Sequence, residues 1–162
     1  MTQRKKPWWY RAGERFLATR LGGWYFINVA STLDRRIIAA TNGKLSTVPG
    51  QPVGIVTMTG AKSGQPRQTP LLCTADGDNW IIVASRGGDT KNPAWYYNLK
   101  AYPDVSLQIN GRTDPYTAHQ TSGPERDRCW QKAVDVYAGY TKYAERTNGR
   151  EIPVFLLIPR ED

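Results

Sequence analysis

Residues that bind metals or form disulfide bonds are scarce in this sequence, which contains two cysteines and one histidine. Cys73 and Cys129 do not share C-x-x-C spacing, which argues against a disulfide framework and against a cysteine zinc site. His119 has no carboxylate cluster at ligand spacing around it. We therefore predict a histidine that lies at the surface or has its hydrogen bonds satisfied, and no metal centre.

Several other signatures are also missing. The sequence has no Gly-x-Ser-x-Gly elbow and no Gly-x-Gly-x-x-Gly loop, so triad hydrolysis and Rossmann dinucleotide binding lose support. The segment around Lys62 lacks the glycine that a P-loop places directly before its lysine. No apolar run reaches about 18 residues, and no signal core with a cleavage site is present. These absences predict a cytoplasmic protein.

Positive charge is abundant. The 162 residues include 22 Lys and Arg against 14 Asp and Glu, for a formal net charge of +8. Such a surface attracts anions, whether nucleic acid, acidic lipid or a polyanionic small molecule, and charge alone does not choose among them.

Much of this charge lies near the N-terminus. Residues 7–22 place Trp8 and Phe16 at helical spacing among Arg11, Arg15 and other cations, and a second helix is predicted around residues 31–41. We predict that residues 1–45 form a basic helical extension and that residues 46–162 form the main domain. The extension either binds an anionic membrane surface or packs over the domain.

The main domain shows mostly strand patterns. Six strands are predicted, with a hairpin turn at Asn110-Gly111 and helices that start at Asn92-Pro93 and at a capping box, Ser122 to Glu125. The predicted strands are residues 54–59, 68–74, 79–85, 104–109, 113–120 and 152–158. This order favours a small, mainly β (α+β), antiparallel barrel over an alternating parallel-sheet fold.

Two glycine-bearing loops and three tyrosines are candidate site features. The loop from Gly60 to Arg67 and the strand end Ser85-Arg86-Gly87-Gly88 either are ordinary turns or present cations and backbone amides to an anion. Tyr137, Tyr140 and Tyr143 recur at every third residue, either to pack in the core or to line one cavity.

Three segments in order resemble the deazaflavin (F420)-dependent nitroreductase family: residues 59–67, 84–88 and 92–99. The likeness covers roughly residues 44–159. It implies a six-stranded split β-barrel of the flavin/deazaflavin-binding type, with coenzyme F420 as the cofactor. It also implies hydride transfer from reduced F420 to a quinone-like or nitroaromatic acceptor.

The same resemblance assigns residues. Those implied to bind the cofactor are Lys62, Arg67, Pro70, Ser85, Arg86, Gly87, Ala94 and Trp95. Those implied to form the acceptor pocket are Tyr137, Tyr140 and Tyr143. We expect the hydroxyl of Tyr140 or Ser85, or a water molecule, to stabilise the oxygen that gains negative charge.

Two alternatives remain at this stage. One is a flavin mononucleotide (FMN)-dependent reductase or oxidase on the same barrel. The other is a non-catalytic basic barrel that binds nucleic acid or a membrane, of which the nucleic-acid form is the less favoured. For the enzyme we expect a cytoplasmic location with peripheral contact at the inner face of the cell membrane.

Overall fold

The computed structural model describes residues 52–161. The helices predicted within residues 1–45, and the boundary predicted at residue 46, lie outside this range. The strands are β1 (Val53–Thr59), β2 (Pro66–Leu72), β3 (Thr74–Asp76), β4 (Asn79–Val83), β5 (Asp104–Ile109), β6 (Arg112–Gln120) and β7 (Val154–Pro159). The helices are α1 (Ala94–Ala101), α2 (Gly123–Val136) and α3 (Gly139–Arg146), and a 3-10 turn spans Arg86–Gly88.

All seven strands belong to one sheet, in the order β2-β1-β5-β6-β7-β4-β3, and each neighbouring pair is antiparallel. The β5–β6 hairpin turns at Asn110 and Gly111, whose φ angles are 52° and 80°. Positive φ at both central residues is what a tight hairpin turn requires, and asparagine and glycine tolerate it. The sequence prediction of this hairpin is confirmed.

The predicted strand 68–74 is in fact two strands that separate at Cys73. β2 ends at Leu72 and pairs with β1, whereas β3 begins at Thr74 and pairs with β4. β2 and β3 are thus the two outer strands of the sheet, although one residue separates them in the chain. A seven-stranded sheet can meet this condition only if it curls until its two edges approach each other, as in a barrel.

The curled sheet has apolar residues on both faces. Along β7, Phe155 and Leu157 contact one core cluster together with Trp95 of α1, while Val154 and Leu156 contact a second cluster under α2 and α3. Because successive side chains of a strand point to opposite faces, a strand covered on both sides must be apolar throughout. This explains the continuous apolar run predicted for the last strand.

The predicted face of α2 is confirmed, but its predicted capping box is not. Cys129, Ala133 and the following Tyr137 pack in the second cluster, and Trp130 and Val134 are partly buried against it. Ser122 makes no side-chain hydrogen bond at the helix start. Glu125 instead approaches His119 of β6, with 3.4 Å between carboxylate oxygen and Nε2, so the tertiary contact replaces the local one.

The predicted N-cap of α1 is also wrong. Pro93 occupies the cap position and no side chain caps this helix. The Asn92 side chain instead accepts a hydrogen bond from Arg150, 58 residues away in the chain. The Asn92 side-chain oxygen, which the local pattern predicted to cap the helix, thus accepts from the Arg150 guanidinium instead.

Candidate functional site

The turn after β4 has an unusual backbone conformation. Ser85 is right-handed helical at φ −71°, ψ −38°, and the next three residues are left-handed, with φ of 48° at Arg86, 64° at Gly87 and 84° at Gly88. A right-handed residue followed by a left-handed one turns successive amide N–H groups toward the same side, forming a concave anion site called a nest. The turn therefore has the backbone shape of a phosphate-binding loop.

The side chain of Arg86 is used within its own loop. Its Nη1 donates to the carbonyl oxygen of Asn92 at 3.2 Å, and its Nε lies 3.2 Å from an oxygen of Asp89. The amide of Lys91, and then the Arg86 charge, hold the pKa of Asp89 below its usual range against the effect of desolvation. In this conformation the Arg86 amide, rather than its guanidinium, is what the loop offers to an anion.

Gly88 fixes the turn against helix α3. A Cβ at this position would lie 2.8 Å from the backbone oxygen of Tyr143 and 3.0 Å from the Cβ of Arg146. Only glycine allows this close approach at a positive φ. The positive φ angles favour glycine at both Gly87 and Gly88, and the close contact with α3 additionally requires it at Gly88.

Arg150 holds the same loop from behind, and sequence reasoning did not single it out. Its guanidinium donates to the carbonyl oxygens of Ser85 and Asp89 and to the side chain of Asn92. Desolvation lowers the pKa of Arg150 from its ordinary value. In the sequence it stood out only as part of the range 44–159 that resembles the family. Its partners lie about 60 positions earlier in the chain, so no local pattern indicates its role.

The predicted cationic loop between β1 and β2 is a compact, exposed turn. The Gly60 amide donates to Gln65 O at 2.9 Å, and the Gly64 amide donates to Gly60 O at 2.8 Å. Arg67 bonds the Ser63 hydroxyl at 3.3 Å. Lys62 and Arg67 are both exposed, and no ion pair involves either of them within residues 52–161, so their charges face solvent.

Helix α1 connects the two loops. The amide of Ala61 donates to the Asn98 side chain at 2.9 Å, which ties the cationic loop to the helix. The turn at residues 85–88 reaches the start of the same helix through residues 89–93. Ala94 is exposed in the first turn of α1 and Trp95 is buried, with its ring 6.0 Å from that of Phe155.

Pro70 lies apart from these loops. It is buried in the middle of β2, opposite Ile55 of β1. The structure therefore places Lys62, Arg67 and Ala94 at the surface, Pro70 within the barrel wall and Trp95 in the core beneath α1.

The three tyrosines pack against one another beneath the turn. The Tyr137 ring lies 5.2 Å from that of Tyr140 and 6.0 Å from that of Tyr143, and the Tyr137 and Tyr143 hydroxyl oxygens are 3.0 Å apart. All three side chains are buried. Burial raises the pKa of Tyr140 and of Tyr143, so both hydroxyls are protonated donors at neutral pH.

Of the two predicted catalytic hydroxyls, Ser85 is the more accessible. Tyr140 is 5% exposed, with its hydroxyl inside the second core cluster, whereas Ser85 is half-buried at the strand end. The Tyr140 side chain thus packs in the core, and its place in the acceptor pocket stays a prediction.

A separate depression of about 300 Å³ lies along β1, β5 and β6, lined by Thr57, Ser106 and Arg160 among others. It includes none of the predicted site residues.

The described residues suit a polyanionic cofactor. An amide nest, two solvent-facing cations and a glycine-dependent turn match the chemistry of a phosphate with an acidic tail. No group of three or more metal-ligating side chains occurs within residues 52–161, and none of the helices there is long and apolar enough to cross a membrane.

The curled antiparallel sheet defines a split β-barrel, a fold that F420-dependent reductases share. Residues 31–159 match the F420H(2)-dependent quinone reductase family, and the chain belongs to that family. It is therefore an F420-dependent oxidoreductase, with coenzyme F420 as its cofactor.

Individual relatives agree with this family. An F420H(2)-dependent quinone reductase of Mycobacterium tuberculosis is 43% identical over 129 residues, which cover 76% of this chain and 86% of the relative. The solved structure of an F420-H2 dependent reductase, FDR-A, is 43% identical with a TM-score of 0.62, covering 65% of this chain and 93% of that one. A heme binding protein from Mycobacterium smegmatis, 16% identical with a TM-score of 0.54 over 78% of this chain and 50% of that one, shares the fold alone.

Proposed function

We propose that this protein transfers a hydride from reduced F420 to a quinone. The observation that carries the proposal is the nest at Ser85 to Gly87, which lies at the end of a barrel strand and connects through α1 to the loop of Lys62 and Arg67. Family membership supplies the cofactor, and the family description supports a quinone as the acceptor.

Different residues are proposed to bind the phosphate, the acidic tail and the ring of the cofactor. The amides of Ser85, Arg86 and Gly87 bind the phosphate, and the charges of Lys62 and Arg67 bind the acidic tail. Pro70, Ala94 and Trp95 border the ring. When bound, reduced F420 supplies the hydride, and the protein contributes position, exclusion of water and electrostatics.

Hydroxyl groups supply the proposed electrostatic assistance. A quinone that receives a hydride develops negative charge on oxygen, which a hydrogen-bond donor stabilises before a proton completes the hydroquinone. Ser85 is the accessible candidate. Tyr140 can act in this way only if its hydroxyl leaves the packed cluster of Tyr137, Tyr140 and Tyr143. We propose that this cluster of three tyrosines forms a wall of the acceptor pocket.

A nitroaromatic compound is the second candidate acceptor. Its nitro oxygens also gain negative charge on hydride transfer, so the same donors would serve it. Oxidation of reduced F420 followed with a water-soluble naphthoquinone and with a nitroaromatic compound in parallel discriminates the two. We expect the larger kcat/KM with the quinone, and a ratio in favour of the nitroaromatic compound would reverse the assignment.

Cofactor binding tests the site itself. Titration with oxidised F420, FMN and a nicotinamide nucleotide should show tight binding of F420 only. Lys62→Ala and Arg67→Ala should each lose a charge-assisted contact of about 1.5–3 kcal/mol, which weakens F420 binding by roughly ten- to a hundredfold. Turnover at saturating cofactor should change little, because such contacts form equally in the ground and transition states.

A matched variant controls for the loss of positive charge. Arg112 is 78% exposed in the β5–β6 hairpin and pairs with Asp114, so Arg112→Ala removes the same charge outside the proposed site. It should bind F420 like the parent. If Lys62→Ala and Arg67→Ala do so too, the loop is an ordinary solvated hairpin.

We further propose that the N-terminal segment holds the enzyme at an anionic membrane surface. The support is its sequence, with Trp8 and Phe16 among basic residues. Cosedimentation with phosphatidylglycerol vesicles should be lost when residues 1–22 are deleted. Equal sedimentation of both proteins would contradict the membrane role.

A further inference from the structure

Arg150 concentrates its hydrogen bonds on one loop. Its Nη1 lies 2.6 Å from the Asn92 side-chain oxygen and 3.4 Å from Ala84 O. Its Nη2 lies 3.1 Å from Ser85 O and 2.8 Å from Asp89 O, and its Nε lies 3.1 Å from that same Asp89 oxygen. Every one of these acceptors belongs to the segment that contains the nest.

These contacts determine which way the amides of the nest point. No peptide bond within the described residues is cis, and a trans peptide directs its N–H opposite to its C=O. Since the carbonyls of Ala84 and Ser85 point at Arg150, the amides of Ser85 and Arg86 point away from it. Arg150 therefore stands behind the nest and orients its open side.

Arg150 also spans the turn. It bonds Ser85 O just before the left-handed residues and Asp89 O just after them. Arg86 carries a Cβ at φ 48°, a conformation that other contacts must maintain. Because the guanidinium binds the carbonyl oxygens of Ser85 and Asp89, it fixes the distance between these two residues and so constrains the three left-handed residues between them.

A lysine cannot replace this arrangement. The guanidinium is a planar group with five donors in a fixed fork, whereas an ammonium is a single point of charge on a flexible stem. One nitrogen cannot reach the Asn92 side chain on one edge and the Ser85 and Asp89 carbonyls on the other. Arg150→Lys thus keeps the charge and removes the geometry.

We propose that Arg150 is the positioning residue of the phosphate-binding turn, and that it acts on F420 through the backbone of Ser85 and Arg86 rather than by touching the cofactor. The inference rests on the function proposed above, in which this turn binds the F420 phosphate. Arg150 therefore increases the affinity for F420 without contacting F420 itself.

Binding of oxidised F420 to Arg150→Lys tests the inference without relying on turnover. We expect the Kd to rise by at least tenfold, with an unchanged dependence of log Kd on log salt concentration, because the total charge near the cofactor is retained. Lys62→Ala, in contrast, should reduce that dependence. In turnover, the KM for reduced F420 should rise together with the Kd.

Arg126→Lys is the matched control. Arg126 is also a partly buried arginine that donates to a backbone carbonyl, that of Ile152 at 3.1 Å, but no hydrogen bond or ion pair joins it to residues 84–92. Its replacement should lower the melting temperature while leaving the F420 Kd at the parent value. Asn92→Ala, which removes one acceptor of Arg150, provides a second and milder variant, with a Kd expected to rise about threefold.

The outcomes separate the two proposals. If the parent does not bind F420, the proposed function fails. If the parent binds F420, and folded Arg150→Lys and Asn92→Ala bind it equally well, Arg150 has only a structural role and the inference is wrong. If Arg150→Lys changes the salt dependence as Lys62→Ala does, Arg150 contacts the cofactor directly, which also overturns the positioning role.

Discussion

Replacing Gly88 by alanine should damage both stability and cofactor binding. The residue has φ +84°, and a non-glycine residue in the left-handed region costs about 1–2 kcal/mol. The added Cβ would lie 2.8 Å from Tyr143 O and 3.1 Å from Tyr143 Cα, which are backbone atoms that cannot rotate away. Overpacking of this kind costs a further amount of about 1–3 kcal/mol.

Gly77→Ala separates these two costs. Gly77 also has a left-handed φ, +65°, but a Cβ there meets nothing within 4 Å. It should lose only the conformational part, about 1–2 kcal/mol. Urea unfolding of the parent and both variants measures the difference, and the Gly88 variant should be the less stable by about 1–3 kcal/mol.

F420 titration completes the comparison. Gly88→Ala must shift the turn away from α3 and should weaken F420 binding, whereas Gly77 lies in the β3–β4 turn and its variant should bind like the parent. Equal destabilisation of the two variants would refute the argument that α3 packs directly on the turn. Unchanged F420 binding by the Gly88 variant would refute the link between that packing and the cofactor.

Two further predictions concern single functional groups. Ser85→Ala and Tyr140→Phe each delete one hydroxyl, and at least one of them should lower kcat by about tenfold or more without changing F420 affinity; normal turnover of the double variant would remove both hydroxyls from the reaction. Asp76 bonds Lys132 and Arg128, and these contacts lower its pKa below the ordinary value. Its stabilising contribution is complete above the unfolded-state pKa of about 4 and is lost as the pH falls through the lowered folded-state pKa. The urea midpoint of Asp76→Asn should therefore fall below the parent at pH 7 and approach it progressively as the pH falls below about 4, and a constant difference between the two would contradict this assignment.

Strand positions could be predicted from the sequence because local patterns determine them. Alternation along β5 and the Asn110-Gly111 turn depend on neighbouring residues, and both agree with the structure. The separation of β2 from β3 at Cys73 could not be predicted in this way. Whether a run of strand-forming residues is one strand or two depends on the partners it meets, and those partners are distant in the chain.

The candidate site could be predicted only in part, because some of its features depend on residues that are distant in the chain. Glycines and cations in the two loops are visible as local motifs, but the left-handed φ of Arg86 is imposed by tertiary contacts. Arg150 was missed because its role is defined by acceptors 58 to 66 positions away. The spacing of the three tyrosines left core packing and cavity lining open, and their burial against α2, α3 and β4 comes from helix packing that no local pattern encodes.

The junction at Cys73 has a consequence for self-association. Exposed outer strands invite pairing with other molecules, yet β2 and β3 are joined by this single fully buried residue, so neither can drift away from the other there without local unfolding. Burial raises the pKa of its thiol to about 12, so the group is protonated and poorly reactive toward oxidants. The two outer strands are therefore held side by side at this end of the sheet, and the thiol between them is shielded from the oxidation that would place a polar group there.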